Sequence, residues 1–433
     1  MKSLKFKIYP REFLFTFFLI MLPLSLSLEL SFPNSPIAYI AYTDEILCIV
    51  CSFYVLYSAF KRGIKGTDLA LLIILLLCTA WGLVGNAVSK VITDWFPIVV
   101  DAICLLKIFV PFIIFKQVAA ADKKMRIIHY LKPLSKALIA LGAFFGTISQ
   151  FVYIGMSLPQ MERRYGIVPF FFIFGNEGRY GYIIACALLV VLMTERVKRK
   201  RIMYELLAIL NIVYTTKGVA YVIAACYIIL LILWYRDTKL TVPKIAVLAV
   251  GGIAVSAMQI NTYLRDLESP RMTLIRYGLV TANRYFPFGS GFATYGSDMA
   301  ARNYSQLYYL YGFDKLWGLS PQYQMFLNDV YLGMVFGQFG YIGVILFVIM
   351  LIMVFIPVYK LDANKKVKAL TLAIFIGIVV SAIATAIIKS SIGVFVFTFL
   401  GLMCGYSGNE LAVTDSDIEK EGGTRLKIRF SRY

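Results

Sequence analysis

Arg271, Arg276 and Arg284 follow one another closely, and Asp329 closes the same polar stretch of the chain. A guanidinium offers a planar fork that binds phosphate in bidentate fashion and stays charged. A carboxylate close to such cations, partly desolvated at a membrane boundary, could act as a general base; it could equally cap a helix. Further cations come from Arg164, in Glu162-Arg163-Arg164, from Arg179, in Asn176-Glu177-Gly178-Arg179, and from Lys217. Together these types point to a negatively charged ligand handled beside one acid/base group. Aromatic rings crowd the same stretch: Tyr295, Tyr304, Tyr308, Tyr309, Tyr311, Phe313, Trp317 and Tyr323. They could stack on sugar faces or form an interfacial belt. The sole histidine, His129, sits in a basic run elsewhere. That excludes His-ligated metal sites and Ser-His catalysis here, and leaves acid/base work to carboxylates.

The elements that hold these residues are membrane spans. The chain has 433 residues, 60% of them hydrophobic, and a mean hydropathy of +0.76. A soluble protein would be about 45–50% apolar. Apolar runs long enough for a ~30 Å hydrocarbon core recur throughout. The expected fold class is therefore an all-α polytopic membrane protein. Twelve spans are expected at about 12–28, 40–60, 68–88, 97–118, 134–156, 178–195, 203–216, 218–235, 243–260, 333–358, 369–388 and 391–408. The domains then run 1–260 (spans one to nine), 261–332 (a large outer loop with short amphipathic helices), 333–408 (spans ten to twelve) and 409–433 (a polar tail).

Charge chooses the sides. The net charge of +19 resolves into a topology signal, and nucleic acid is not an expected partner. One set of loops carries 29 Lys and Arg and the other 12. The positive-inside rule then puts both termini in the cytoplasm. Lys outnumbers Arg 19 to 10 inside, and Arg outnumbers Lys 8 to 4 outside, as expected for a phosphate ligand on the outer side. All seven cysteines fall in expected spans, so Cys48-x-x-Cys51 reads as helix packing. Asp101 and Lys107, also within a span, are six residues apart and off one another's helical face, so each calls for a separate partner. Asp44 and Glu45 raise the same question near the end of span two. The Asp415-Ser416-Asp417 of the tail has no fold around it and is not read as a metal motif.

The outer loop opens with a helix signal: Glu268, a capping Ser269, and Pro270 at the first position. Periodicity over Arg271 to Phe286 puts Met272, Ile275, Leu279, Ala282 and Phe286 on one face, as for an amphipathic helix on a membrane surface. The run from Phe286 to Gly296 is rich in glycine, which permits a tight turn and close backbone approach to a ligand.

With these residues in place, the chain resembles the Wzy-type polysaccharide polymerases, which are related to the O-antigen ligases. The resemblance lies in Arg271 through Tyr295 (an arginine, a helical segment, then a Pro/Gly turn ending in an aromatic), in Asp329 through Gly343, and in the turn Thr215-Thr216-Lys217-Gly218. Asp329 stands where ligases are expected to have a histidine, which favours polymerase. The resemblance implies transfer of a growing glycan from undecaprenyl pyrophosphate to the non-reducing end of an incoming lipid-linked repeat unit, outside the bacterial cytoplasmic membrane. It implies Arg271, Arg276, Arg284, Lys217, Arg164 and Arg179 as pyrophosphate ligands, with Arg271, Arg276 and Asp329 catalytic. Tyr295, Tyr304, Trp317 and Tyr323 would contact glycan. No cofactor or metal is implied, because arginines can take a metal's place. A chain-length regulator and a flippase are the implied protein partners. The alternatives are a ligase-like transferase, or a flippase or transporter; the latter should show internal repeats, and none is detectable.

Overall fold

The computed structural model describes residues 10–31, 35, 39–40, 42–61, 64, 66–117, 121–234, 241–248, 250–251 and 269–404. The basic amino-terminal run, most of the ninth expected span, Glu268 and the tail with Asp415 to Asp417 lie outside the described residues. In chain order the main helices are α1 (Pro10–Ser31), α2 (Thr43–Lys61), α3 (Thr67–Ser89), α4 (Trp95–Gln117), α5 (Ala121–Ser149), α6 (Glu177–Thr194), α7 (Lys198–Thr215) and α8 (Gly218–Leu233). There follow α9 (Pro270–Arg284), the short α10 (Asp298–Arg302) and α11 (Gln306–Leu310), then α12 (Tyr331–Tyr359), α13 (Lys365–Ala384) and α14 (Ser391–Cys404). Among the described residues there is no strand beyond isolated bridges.

Among the described residues, six helices, α3, α4, α5, α6, α12 and α13, are long and apolar enough to cross a membrane. Glu12–Ser25, Gly218–Leu233 and Ser391–Cys404 are shorter apolar helical stretches. Helices stand at all the expected span positions except the ninth, which is mostly outside the described residues. The core and the lipid-facing layer separate by burial. α6 is apolar all round and almost wholly buried, as a central helix is. α3 and α12 expose Leu76, Leu77, Ile345 and Ile352 on their outer faces. Small residues set the closest crossings. A Cβ at Gly401 of α14 would lie 2.4 Å from the Phe112 carbonyl oxygen of α4, a contact only glycine allows.

α5 departs from expectation. It starts at Ala121 and ends at Ser149 instead of spanning 134–156, so the expected basic loop is helical. Lys and Arg are good helix formers, and their ammonium groups cap neighbouring helices. Lys124 donates to the carbonyl of Lys116 (2.7 Å) at the end of α4, and Lys132 donates to that of Thr194 (3.0 Å) at the end of α6. Cations belong at these carbonyl-rich ends.

α12 is broken at Gly340, where φ is 62° and ψ −166°. The carbonyls at the break find partners elsewhere. Gly337 accepts from Ser290 N–H (2.9 Å), Gln338 from Gly291 N–H (2.8 Å) and Phe339 from Trp81 Nε1–H (3.1 Å). The segment Phe286–Gly296 is thus stitched into the bundle. Asn86 of α3 donates to the Phe292 carbonyl (2.9 Å) and accepts from the Phe292 N–H (2.7 Å). Ser89 donates to the Ser290 carbonyl (2.7 Å). Irregular backbone among apolar helices is tolerable only with its polar groups met in this way.

The glycines of this segment therefore bring protein backbone, not ligand, close. Gly291 has φ +87°, and a Cβ there would lie 2.4 Å from Asn86 N. Gly291→Ala is expected to destabilise the protein by more than the ~1–3 kcal/mol of left-handed strain alone. Gly312→Ala shares the positive φ (+70°) but meets nothing within 4 Å. Thermal unfolding in detergent should rank Gly291→Ala well below Gly312→Ala; equal losses would mean that docking is not what the glycine serves.

Candidate functional site

α9 begins as the sequence indicates. Ser269 caps it by accepting from Met272 N–H, with Pro270 in the first turn. Its buried face is not the expected stripe, however. Thr273, Leu274, Gly278, Thr281 and Ala282 are buried, whereas Phe286 is exposed and Met272, Ile275 and Leu279 are half-buried. The reason is a glycine crossing. A Cβ at Gly278 would lie 2.5 Å from the Gly333 carbonyl oxygen of α12. Backbone contact with α12, not apolar periodicity, turns the helix.

That crossing brings Arg271 of α9 to Asp329, just before α12. Arg271 Nε donates to Asp329 Oδ2 at 2.8 Å, and Nη2 lies 2.7 Å from the same oxygen. The pair is half-accessible, with side chains 19% and 29% exposed. Arg276 and Arg284 are exposed. They share a face with Val280 and Asn283, eight residues being slightly over two turns. Asn283 accepts from the Tyr341 hydroxyl of α12 at 2.6 Å, which steadies that face.

Of the other cations, Arg164 and Lys217 meet at the buried Glu177. Arg164 Nη1 is 3.4 Å from Glu177 Oε1, and Lys217 Nζ is 3.6 Å from Oε2. Asn176 caps α6 by accepting from the N–H groups of Gly178 (2.9 Å) and Arg179 (3.2 Å). Arg179 is half-buried in the first turn of α6.

The aromatic residues divide by burial. Tyr295 is fully buried, and its hydroxyl donates to the Leu274 carbonyl (2.7 Å). Tyr304 donates to the Leu319 carbonyl (3.0 Å). Burial pushes its phenol up to about 12. Both belong to the core of the polar segment, with Tyr308 and Phe313. Tyr308 accepts from Gly296 N–H at 2.9 Å. Trp317, 70% exposed, and Tyr323, 45% exposed, keep accessible faces 5.5 Å apart.

Beneath the segment lies a polar network with members the sequence did not single out. Asp101 of α4, fully enclosed, accepts from Ala293 N–H (2.6 Å) and Gln338 Nε2 (2.7 Å). Lys389, in the turn before α14, is buried, 3.4 Å from Asp298 Oδ2, and reaches the Gly296 carbonyl (3.5 Å). Asn328 donates to Asp298 Oδ1. Burial works against ionisation of Asp298, but Lys389 and the Asn328 amide outweigh it and hold the carboxyl below its usual range. The available signal was Lys389 itself, a lone cation in a tight turn between two apolar runs. Lys107 meets Asp44 (2.7 Å) and Glu45 (2.6 Å) of α2, so Asp101 and Lys107 do have separate partners.

Among the described residues no group of three His, Cys, Asp or Glu side chains is placed to hold a metal ion. Comparison with protein-family models and with curated proteins gives no match. Fold and site together define a helical membrane protein with a cationic polar segment docked on its bundle.

Proposed function

We propose that this chain is a metal-independent glycosyltransferase of the polysaccharide-polymerase kind, acting at the outer face of a bacterial cytoplasmic membrane with both termini in the cytoplasm. It transfers a growing glycan from undecaprenyl pyrophosphate to the non-reducing end of an incoming lipid-linked repeat unit. A flippase would supply that unit, and a chain-length regulator would act on the product. The observation that carries this reading is the half-accessible Arg271–Asp329 pair beside the exposed Arg276 and Arg284 on one helix.

The reaction breaks the anomeric carbon–oxygen bond, and the electron pair leaves on pyrophosphate. Fixed cations at reduced dielectric stabilise that charge as it forms. Among the described residues Arg276 and Arg284 have no partner carboxylate to give up before they meet the leaving group. Arg271 is oriented by Asp329, whose Oδ2 already accepts two of its N–H groups; this fits Asp329 better as the residue that sets the arginine than as an unoccupied base. Arg164 and Lys217 form a further cationic pair on Glu177, and Arg179 follows two residues on in the first turn of α6. Trp317 and Tyr323 offer stacking faces for sugar. Transport is less well supported, because the intramembrane charges Asp101, Lys107, Asp44 and Glu45 are committed to partners within the protein.

The test is gel and mass analysis of surface and lipid-linked glycans from a strain carrying Arg276→Ala. Single repeat units should accumulate and polymer should fall by roughly 10²-fold or more, with the protein still folded and inserted. Complete polymer held on undecaprenyl pyrophosphate would instead indicate a ligase. Repeat units trapped on the inner leaflet would indicate a flippase, and unchanged polymer would remove the arginine from the site.

A further inference from the structure

On the polymerase reading, we propose that Asp298 is the catalytic carboxylate that receives the acceptor hydroxyl's proton, with Lys389 and Asn328 as the residues that position it. Three carboxylates lie around the docked segment, and their exposure distinguishes them. Asp101 is enclosed and filled by Ala293 N–H and Gln338. Asp329 is 29% exposed and gives its Oδ2 to two N–H groups of Arg271. Asp298 is the most open of the three, its side chain 44% exposed at the start of α10.

Its position is built from several elements. Ser297 caps α10 by accepting from Ala300 N–H (3.1 Å), which fixes the backbone on which Asp298 sits. Lys389 approaches Oδ2 from the buried side, and Asn328 donates to Oδ1. Neither contact closes the exposed side. Asn328 is followed directly by Asp329, so the carboxylate and the Arg271 fork are tied to consecutive residues. A hydroxyl on Asp298 is therefore presented on the side of the segment where Arg271 meets the pyrophosphate.

The step balances without a further reactant. The acceptor oxygen forms a bond to the donor's anomeric carbon. The bond from that carbon to pyrophosphate breaks, and its electron pair leaves as undecaprenyl pyrophosphate. The hydroxyl proton passes to Asp298, which releases it to the solvent on its open side. A carboxylate held ionised by Lys389 suits late proton transfer, after the hydroxyl has grown acidic through bond formation. Lys389 does not touch the reacting atoms; it keeps Asp298 charged and aimed.

The experiment uses the full chain in proteoliposomes, supplied with lipid-linked repeat unit extracted from cells lacking this gene. Wild type should elongate the unit; if it does not, the polymerase reading fails before the inference is reached. Given elongation, Asp298→Asn should lower kcat by roughly 10²–10⁴-fold. The KM for the repeat unit should stay within about twofold, because Asn keeps the shape and still accepts from Asn328; the melting temperature should fall, because the buried Lys389 loses its carboxylate. Asp298→Glu should restore part of kcat and move its acid limb upward, since glutamate is the weaker acid by about 0.4 units. That shift also decides the matter should Asp298→Asn fold poorly. Retention of more than a tenth of kcat in Asp298→Asn, or an unmoved acid limb in Asp298→Glu, overturns the assignment.

Discussion

Lys107→Met is expected to cost the protein about 3–5 kcal/mol, the usual penalty for leaving a buried charge uncompensated. Lys107 lies between Asp44 and Glu45, at 2.7 and 2.6 Å, with all three away from water to differing degrees. Asp44 Oδ1 and Glu45 Oε2 have no hydrogen-bond partner. Removing the ammonium therefore leaves two carboxylates facing each other across a poorly solvated gap. Methionine preserves most of the packing, so the loss reports charge. Thermal unfolding of the detergent-solubilised protein measures it. Replacing all three (Lys107→Met, Asp44→Leu and Glu45→Gln) should recover most of the loss, because a buried ion pair is often no more stable than its apolar isostere. A melting temperature for Lys107→Met equal to wild type would show that the triad contributes nothing to the fold. Failure of the triple variant to recover would show that the charges do more than neutralise one another.

This triad also marks how far the sequence could be read. The six-residue spacing of Asp101 and Lys107 leaves them about 120° apart around a helix, which foretold separate partners without naming them. The helices at the expected spans were legible because length and apolarity suffice for a membrane segment. Ser269 and Pro270 were legible because capping is local chemistry. What escaped was what depends on backbone meeting backbone. Gly278 against Gly333 decides which face of α9 is buried, and small residues carry no hydrophobic signal. Gly340 breaks α12 inside an apolar run that reads as continuous. Tyr295 and Tyr304 look like Trp317 and Tyr323 in sequence. Tyr295 and Tyr304 differ because the segment folds its own core around them, through contacts such as Tyr295 with Leu274 and Tyr304 with Leu319. Lys389 was visible only as one more outer cation, and its worth comes from Asp298 and the Gly296 carbonyl, which the fold brings beside it.

The Arg271–Asp329 pair yields the sharpest functional expectation. Arg271→Ala should lower the polymerisation rate by roughly 10²–10³-fold, the scale of losing one preorganised donor at a developing charge. Arg271→Lys should restore little. A single ammonium cannot reproduce the Nε and Nη2 contacts to Asp329 Oδ2 at 2.8 and 2.7 Å while also facing a phosphate. Asp329→Asn retains an oxygen for the fork but loses the charge that holds it, so a smaller loss is expected. The double variant is the discriminating one. If Asp329 acts only by setting Arg271, then Arg271→Ala with Asp329→Asn should be no slower than Arg271→Ala alone, as for residues that work as a unit. If Asp329 were itself the base, the two losses would compound, because each variant would remove a different contribution to the transition state. Initial rates of chain elongation in proteoliposomes separate the two cases. A compounding loss would return the acid/base role to Asp329 and leave Asp298 as a structural neighbour of Lys389.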